Sequence, residues 1–135
     1  MDFKALAQSV LERQPFNRLL GVELLEAGPG AVAFRLPLKG EFYQHLGAVH
    51  GGVVATLLDN ALTYAAGSLL GPEVLTVEFK VNFLKPAKGE ALLARGYAVG
   101  QGRRLAVARA EVYALKEGEE TLVALGQGTI AGLSG

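Results

Sequence analysis

The residues best suited to chemistry lie close together in this chain. From Gln44 it reads Gln44-His45-Leu46-Gly47-Ala48-Val49-His50-Gly51-Gly52, then Val53 through Leu58, then Asp59-Asn60. Helical apolar spacing starts at Gly51, yet it starts on two glycines, each of which costs a helix about 1 kcal/mol relative to alanine. A glycine pair at a helix start points to a need for backbone access there. The unpaired N–H groups of a helix N-terminus, with about half a positive charge behind them, suit an oxyanion that develops during acyl transfer. The plainer alternative is a helix whose first residues are merely flexible. Asp59 is the only charged residue between Gly51 and Leu70, and an ionised carboxylate rarely enters a buried element unpaired. A half-buried carboxylate can act as general base or as nucleophile toward a carbonyl. Helical spacing also sets Thr56, Asp59, Asn60 and Thr63 on one stripe, and a narrow solvated face would account for them without catalysis. Ser9, Ser68 and Ser134 are poorly placed for a triad with His45 or His50 as base, and two histidines five apart without a third ligand type nearby are a weak metal signal.

The surrounding elements must hold these residues in place. Asp2 caps a first helix carrying Phe3, Leu6, Val10 and Leu11, and Pro15 stops it. Val22 to Glu26 and Ala31 to Leu36 flank Gly28-Pro29-Gly30 and read as two strands joined by a tight turn. Residues 37 to 50 have no clear period and form a long loop. The helix from Gly51 to about Leu70, stopped by Gly71-Pro72, is about 30 Å long. Four β-rich segments follow, Leu75 to Leu84, Ala91 to Val99, Leu105 to Leu115 and Thr121 to Ile130. The breaks between them, Pro86 to Gly89, Gly100 to Gly102 and Glu117 to Glu120, are short enough for antiparallel neighbours. This order predicts an α+β fold with an antiparallel sheet. Val53, Val54, Leu57, Leu58, Ala61, Leu62 and Ala65 cover more than one stripe of the long helix, which favours a sheet curled around it over a flat sheet with the helix on an open face.

Composition narrows the classes of function. The 135 residues are 50% hydrophobic and carry 13 basic against 13 acidic side chains, consistent with one domain over residues 1–135. The absence of cysteine excludes a disulfide framework, Cys-ligated metal sites and a thiol nucleophile. Balanced charge argues against a nucleic-acid partner read by a broad basic face. The first fifteen residues hold no apolar run long enough for a signal-peptide core, and Asp59, Asn60, Thr63, Ser68 and glycines interrupt the longest uncharged stretches. The expectation is a cytoplasmic protein without a membrane span.

His50-Gly51-Gly52 followed by Leu58-Asp59, with Gly47 three residues ahead of the histidine, resembles the hot-dog-fold acyl-CoA thioesterases of the phenylacetyl-CoA thioesterase (PaaI) type. The resemblance extends through Val77-Glu78-Phe79-Lys80-Val81-Asn82-Phe83-Leu84-Lys85-Pro86-Ala87 and covers about Phe16 to Ile130. It implies a hot-dog fold, an antiparallel sheet of about six strands wrapped around a long central helix with a short N-terminal helix. It also implies a homotetramer of two dimers and hydrolysis of an acyl-CoA substrate, aryl-acetyl or medium-chain acyl groups among the candidates, without metal or further cofactor. By the same resemblance the Gly51 N–H is the oxyanion donor, Asp59 the base or nucleophile, and Thr76 a hydroxyl that helps position the attacking water. Gln44 stands where the family usually has asparagine, and His50 organises the helix start and the substrate carbonyl. Gly52, Asn82, Phe83, Lys85, Pro86, Arg103 and Arg104 are the candidate substrate contacts, the basic ones for the phosphates of coenzyme A. Leu58, Leu62, Tyr64 and Phe83 are candidates for the acyl pocket.

Gly51 and Asp59 are eight residues apart on one helix, hence about 12 Å along its axis, whereas both must come within about 3 Å of one thioester. The expected site therefore lies between two copies, each supplying one half. Two other functions suit the same fold, a non-catalytic acyl-CoA sensor and an enoyl-thioester hydratase. The isolated carboxylate favours hydrolysis over the sensor, and the hydratase would want an acid/base pair over the acyl double bond.

Overall fold

A computed structural model describes residues 1–133 of the chain. Ser134 lies outside the described residues. Helix α1 spans Phe3–Glu12, with the Asp2 carboxylate accepting the Ala5 N–H at 3.0 Å as its cap. Pro15 does more than stop it: it opens a second short helix, α2 (Pro15–Leu20). A proline whose missing N–H and fixed φ end one helix is pre-organised for the first position of the next. Strands β1 (Glu23–Gly28) and β2 (Ala31–Pro37) form the expected hairpin. After a loop that holds one 3-10 turn, Gly40–Phe42, comes α3, Gly51–Leu70. Strands β3 (Val74–Phe83), β4 (Ala91–Gln101), β5 (Leu105–Lys116) and β6 (Glu119–Gly132) complete the chain.

Among the described residues the strands form one six-stranded antiparallel sheet in the order β1-β2-β4-β5-β6-β3. This corrects one expected pairing. The short break after β3 does not make a hairpin with β4, because β4 takes the place beside β2 and β3 closes the far edge beside β6. The connecting segment first follows β6, with Leu84 N–H on the Val123 carbonyl at 2.7 Å, and then crosses the front of α3, where Val49 N–H meets the Ala87 carbonyl at 2.9 Å. That crossing places Lys85 and Pro86 at the helix N-terminus.

The sheet curls around α3, which is the hot-dog fold. Leu57, Leu58, Ala61, Leu62, Ala65 and Ala66 of α3 are buried, and each leucine contributes about 1.5–3 kcal/mol by its burial. By length and apolarity α3 does meet the criterion for a membrane span, with mean hydropathy 1.3, contrary to expectation. Its many Leu, Val and Ala residues outweigh Asp59, Asn60 and the glycines that were expected to exclude it. Close approach of helix and sheet depends on small residues on the strands. A Cβ at Gly96 of β4 would sit 2.3 Å from the Ala61 carbonyl oxygen, backbone that cannot swing aside. Gly96→Ala is accordingly expected to cost about 3 kcal/mol or more by overpacking, lowering the melting midpoint by about 10 °C. Calorimetry that found the midpoint unchanged would show that helix and sheet are not held this close.

The strand β3 carries an irregularity that matters for the site. Its register against β6 shifts between Thr76 and Glu78, so Val77 is an extra residue, and Val77 and Glu78 are both exposed. A bulge of this kind re-aims the side chains beside it. Thr76 and Phe79 both come to face α3 as a result.

Candidate active site

At the start of α3 the backbone donors are assigned one by one. His50 caps the helix, its Nδ1 accepting the Gly52 N–H at 2.8 Å. The N–H groups of Val53 and Val54 return to the His50 carbonyl at 2.9 and 3.4 Å. The Gly51 N–H is left with no acceptor among the described residues. It opens on a groove of about 330 Å³ lined by Gln44, Phe83, Lys85 and Pro86 among others. A Cβ at Gly51 would lie 3.4 Å from the Phe83 ring, an ordinary contact, so the ring borders the open N–H without closing on it. Gln44 turns its Oε1 to the Leu46 N–H, which fixes its amide orientation and leaves Nε2 as a donor beside the same groove. Four of the expected site residues thus join Gly51 in one place, and His50 caps the helix beside them.

Asp59 belongs to a different place. Its Oδ1 accepts hydrogen bonds from Thr76 Oγ1 at 2.7 Å and Thr63 Oγ1 at 3.2 Å, and the two hydroxyls lie 2.9 Å from each other. This triangle fixes the carboxylate while Oδ2 keeps no partner among the described residues. Thr76, on the inward face of β3 just before the bulge, holds the carboxylate directly, and the bulge brings Phe79 onto the same face. Asp59 lines a groove of about 470 Å³ with Arg13, Phe16, Thr56, Asn60 and Phe79. The two grooves have no lining residue in common.

The wall of the Asp59 groove is a polar network that sequence reasoning missed. Asn17, 5% exposed, donates to Gln14 Oε1 at 2.6 Å and exchanges hydrogen bonds with Asn60, and the Tyr64 hydroxyl also donates to Gln14 Oε1. Burial pushes the Tyr64 phenol up to about 12, so it stays protonated and remains a donor. In the sequence nothing separates Asn17, two residues after Pro15, from a solvated amide; its burial in the fold is what makes these hydrogen bonds necessary.

Other expected contacts fall elsewhere. Gly52 is exposed but its N–H is committed to His50. Asn82 stands exposed on β3 outside both grooves. Arg103 and Arg104 are exposed in the turn between β4 and β5. The Arg104 carbonyl takes the Gly132 N–H at 2.7 Å, and Gly132 adjoins Leu70, so both arginines sit by the C-terminal end of α3, a helix length from Gly51. Leu58 and Leu62 are fully buried against Gly126 and Gly128 of β6 and reach neither groove. Among the described residues no three His, Asp or Glu side chains come together as a metal site would require.

Comparison with known proteins identifies the family. The sequence profile of the thioesterase superfamily matches residues 46–121. The crystal structure of a thioesterase family protein from Silicibacter pomeroyi superposes with a TM-score of 0.93 at 41% identity, over 98% of this chain and 99% of that one. The medium/long-chain acyl-CoA thioesterase YigI of Escherichia coli is 30% identical over 82% of each chain. A point mutant of the phenylacetic acid degradation protein PaaI from Thermus thermophilus is similar at 30% identity and a TM-score of 0.78, over 89% of this chain and 100% of that one. On the profile match and these relatives together, the chain belongs to the thioesterase superfamily.

Proposed function

We propose that the protein hydrolyses acyl-CoA thioesters to a free acid and coenzyme A at sites shared by two copies of the chain. The observation that carries this reading is the separation of the Gly51 N–H and the Asp59 carboxylate into grooves without a common residue, although both chemistries are needed at one thioester. Two copies solve the problem when the Gly51 groove of one faces the Asp59 groove of the other. In the joined site the Gly51 N–H and Gln44 Nε2 receive the charge that develops on the thioester oxygen. Asp59 of the second copy activates water or attacks the carbonyl itself. Lys85 at the groove of Gly51 meets a coenzyme A phosphate, and Arg103 and Arg104, at the far end of α3, do so from another copy. The acyl group is medium-chain or aryl-acetyl, in keeping with the relatives named YigI and PaaI. The same proposal takes the assembly as a homotetramer of two dimers in the cytoplasm, acting without metal or cofactor.

The test is a screen of acetyl-, decanoyl- and phenylacetyl-CoA, following released thiol, with light scattering of the same sample. Turnover of at least one ester by a dimer or tetramer is the expected result. No turnover of any ester would overturn the hydrolase reading, and turnover by a monomer at assay concentration would overturn the shared site.

A further inference from the structure

Beneath α1 lies a cavity of about 90 Å³, several times the ~10–15 Å³ that holds one water. Four side chains of α1 face it, Phe3, Leu6, Ala7 and Val10, opposed by Val32 of β2 and Val74 of β3. These α1 residues recur at helical spacing, yet none of the four is fully buried, and Leu11 alone anchors the helix among the described residues. An apolar helix face is here turned toward a void.

The hydroxyls on the cavity wall are already committed, and the Gln14 Nε2 is the one side-chain donor of the wall without a partner among the described residues. Ser68 Oγ donates to the Ala65 carbonyl at 2.8 Å and accepts the Gly30 N–H at 2.6 Å. The Tyr64 hydroxyl donates to Gln14, and the Thr63 hydroxyl bonds to Asp59 and Thr76. A buried water needs two to four polar partners, so this cavity suits an apolar occupant. Two residues connect it to the proposed chemistry. Thr63 lines the cavity and touches the Asp59 carboxylate, and Gln14 lines both the cavity and the Asp59 groove.

We propose that this cavity receives the far end of the substrate's acyl chain, entered from the Asp59 groove past Gln14, and that Phe3, Leu6, Ala7 and Val10 set the acyl length the protein accepts. The inference rests on the thioester-hydrolysis reading above and adds to it which end of the fold measures the substrate. It also makes one copy supply both Asp59 and the acyl compartment.

Two substitutions on α1 test it in opposite directions. Ala7→Phe, on a half-exposed helix position, fills the cavity, and Val10→Ala enlarges it without adding atoms. Hydrolysis of butanoyl-, decanoyl- and tetradecanoyl-CoA is measured for each, beside calorimetric binding of S-butyl- and S-decyl-CoA, thioethers that bind without turnover. Ala7→Phe is expected to lower kcat/KM for decanoyl-CoA by about tenfold or more while butanoyl-CoA stays within about twofold, since a mismatch of a few methylenes in an apolar pocket carries a discrimination of this size. Val10→Ala is expected to raise the tetradecanoyl-to-butanoyl ratio, and it keeps the test decisive if the larger side chain prevents folding. The preference for S-decyl- over S-butyl-CoA should vanish in Ala7→Phe. An unchanged chain-length ranking together with an unchanged thioether preference in both variants would overturn the proposal. If the wild type binds S-decyl-CoA preferentially, and Ala7→Phe abolishes that preference, but no ester is hydrolysed, the acyl compartment stands and the hydrolase reading falls.

Discussion

Asp59→Asn is expected to lower turnover by about 10²–10⁴-fold, the usual contribution of a positioned general base, while the fold and the binding of S-alkyl-CoA thioethers stay close to wild type. The reason lies in how the carboxylate is held. Both Thr76 and Thr63 bond to Oδ1, and an asparagine in the same rotamer retains an oxygen there, so neither hydroxyl loses its acceptor. What the amide cannot do is take a proton from water or attack a carbonyl through its second atom, which carries hydrogens where Oδ2 had lone pairs. Loss of kcat with an unchanged thioether affinity is the pattern of a group used in the transition state alone. Turnover and thioether binding, measured beside thermal melting, check it. Near-normal turnover in a folded Asp59→Asn protein would return the threonine–aspartate stripe to a solvated face and favour the acyl-CoA sensor.

Much of this site is legible in the sequence, for reasons that can be named. The helix α3 runs between its expected residues, Gly51 and Leu70, because glycine pairs and Gly-Pro are strong local punctuation and local signals decide helix ends. Asp59 stands out since a lone charge in an apolar helix is costly wherever it is buried, and the structure gives it two hydroxyl partners. The strands are readable from their alternation, but the neighbour of β3 is not, because pairing depends on which edge remains open after β2 and β4 have joined. The bulge at Val77 leaves no local mark either: Leu75-Thr76-Val77-Glu78 alternates as an ordinary strand would, and the shift shows only against β6. Arg103 and Arg104 group with Lys85 by charge and by their position in turns, whereas the fold puts them at opposite ends of α3. The cavity beneath α1 is invisible in the sequence for a related reason. An amphipathic stripe such as Phe3, Leu6, Ala7 and Val10 reads the same whether it covers a filled core or a void.

The shared site itself is tested by pairing two inactive chains. Gly51→Pro removes the proposed oxyanion donor at a position suited to proline: the residue is the first of the helix, and His50 before it already has φ −58° and ψ 134°, the extended conformation that precedes proline without strain. A Cβ at Gly51 would meet the Phe83 ring at 3.4 Å, an ordinary contact distance, so the ring leaves room for a Cβ there. Loss of one such donor costs about 10²–10³-fold in turnover, so Gly51→Pro and Asp59→Asn are each nearly inactive alone, for different reasons. When the two chains are unfolded and reassembled together, a mixed dimer holds one site with both lesions and one site with neither. If each site joins Gly51 of one copy to Asp59 of the other, activity returns to about half of wild type per mixed dimer. Activity that stays at background, with mass spectrometry confirming mixed dimers and circular dichroism confirming that both chains are folded, would mean that a single chain carries the whole site.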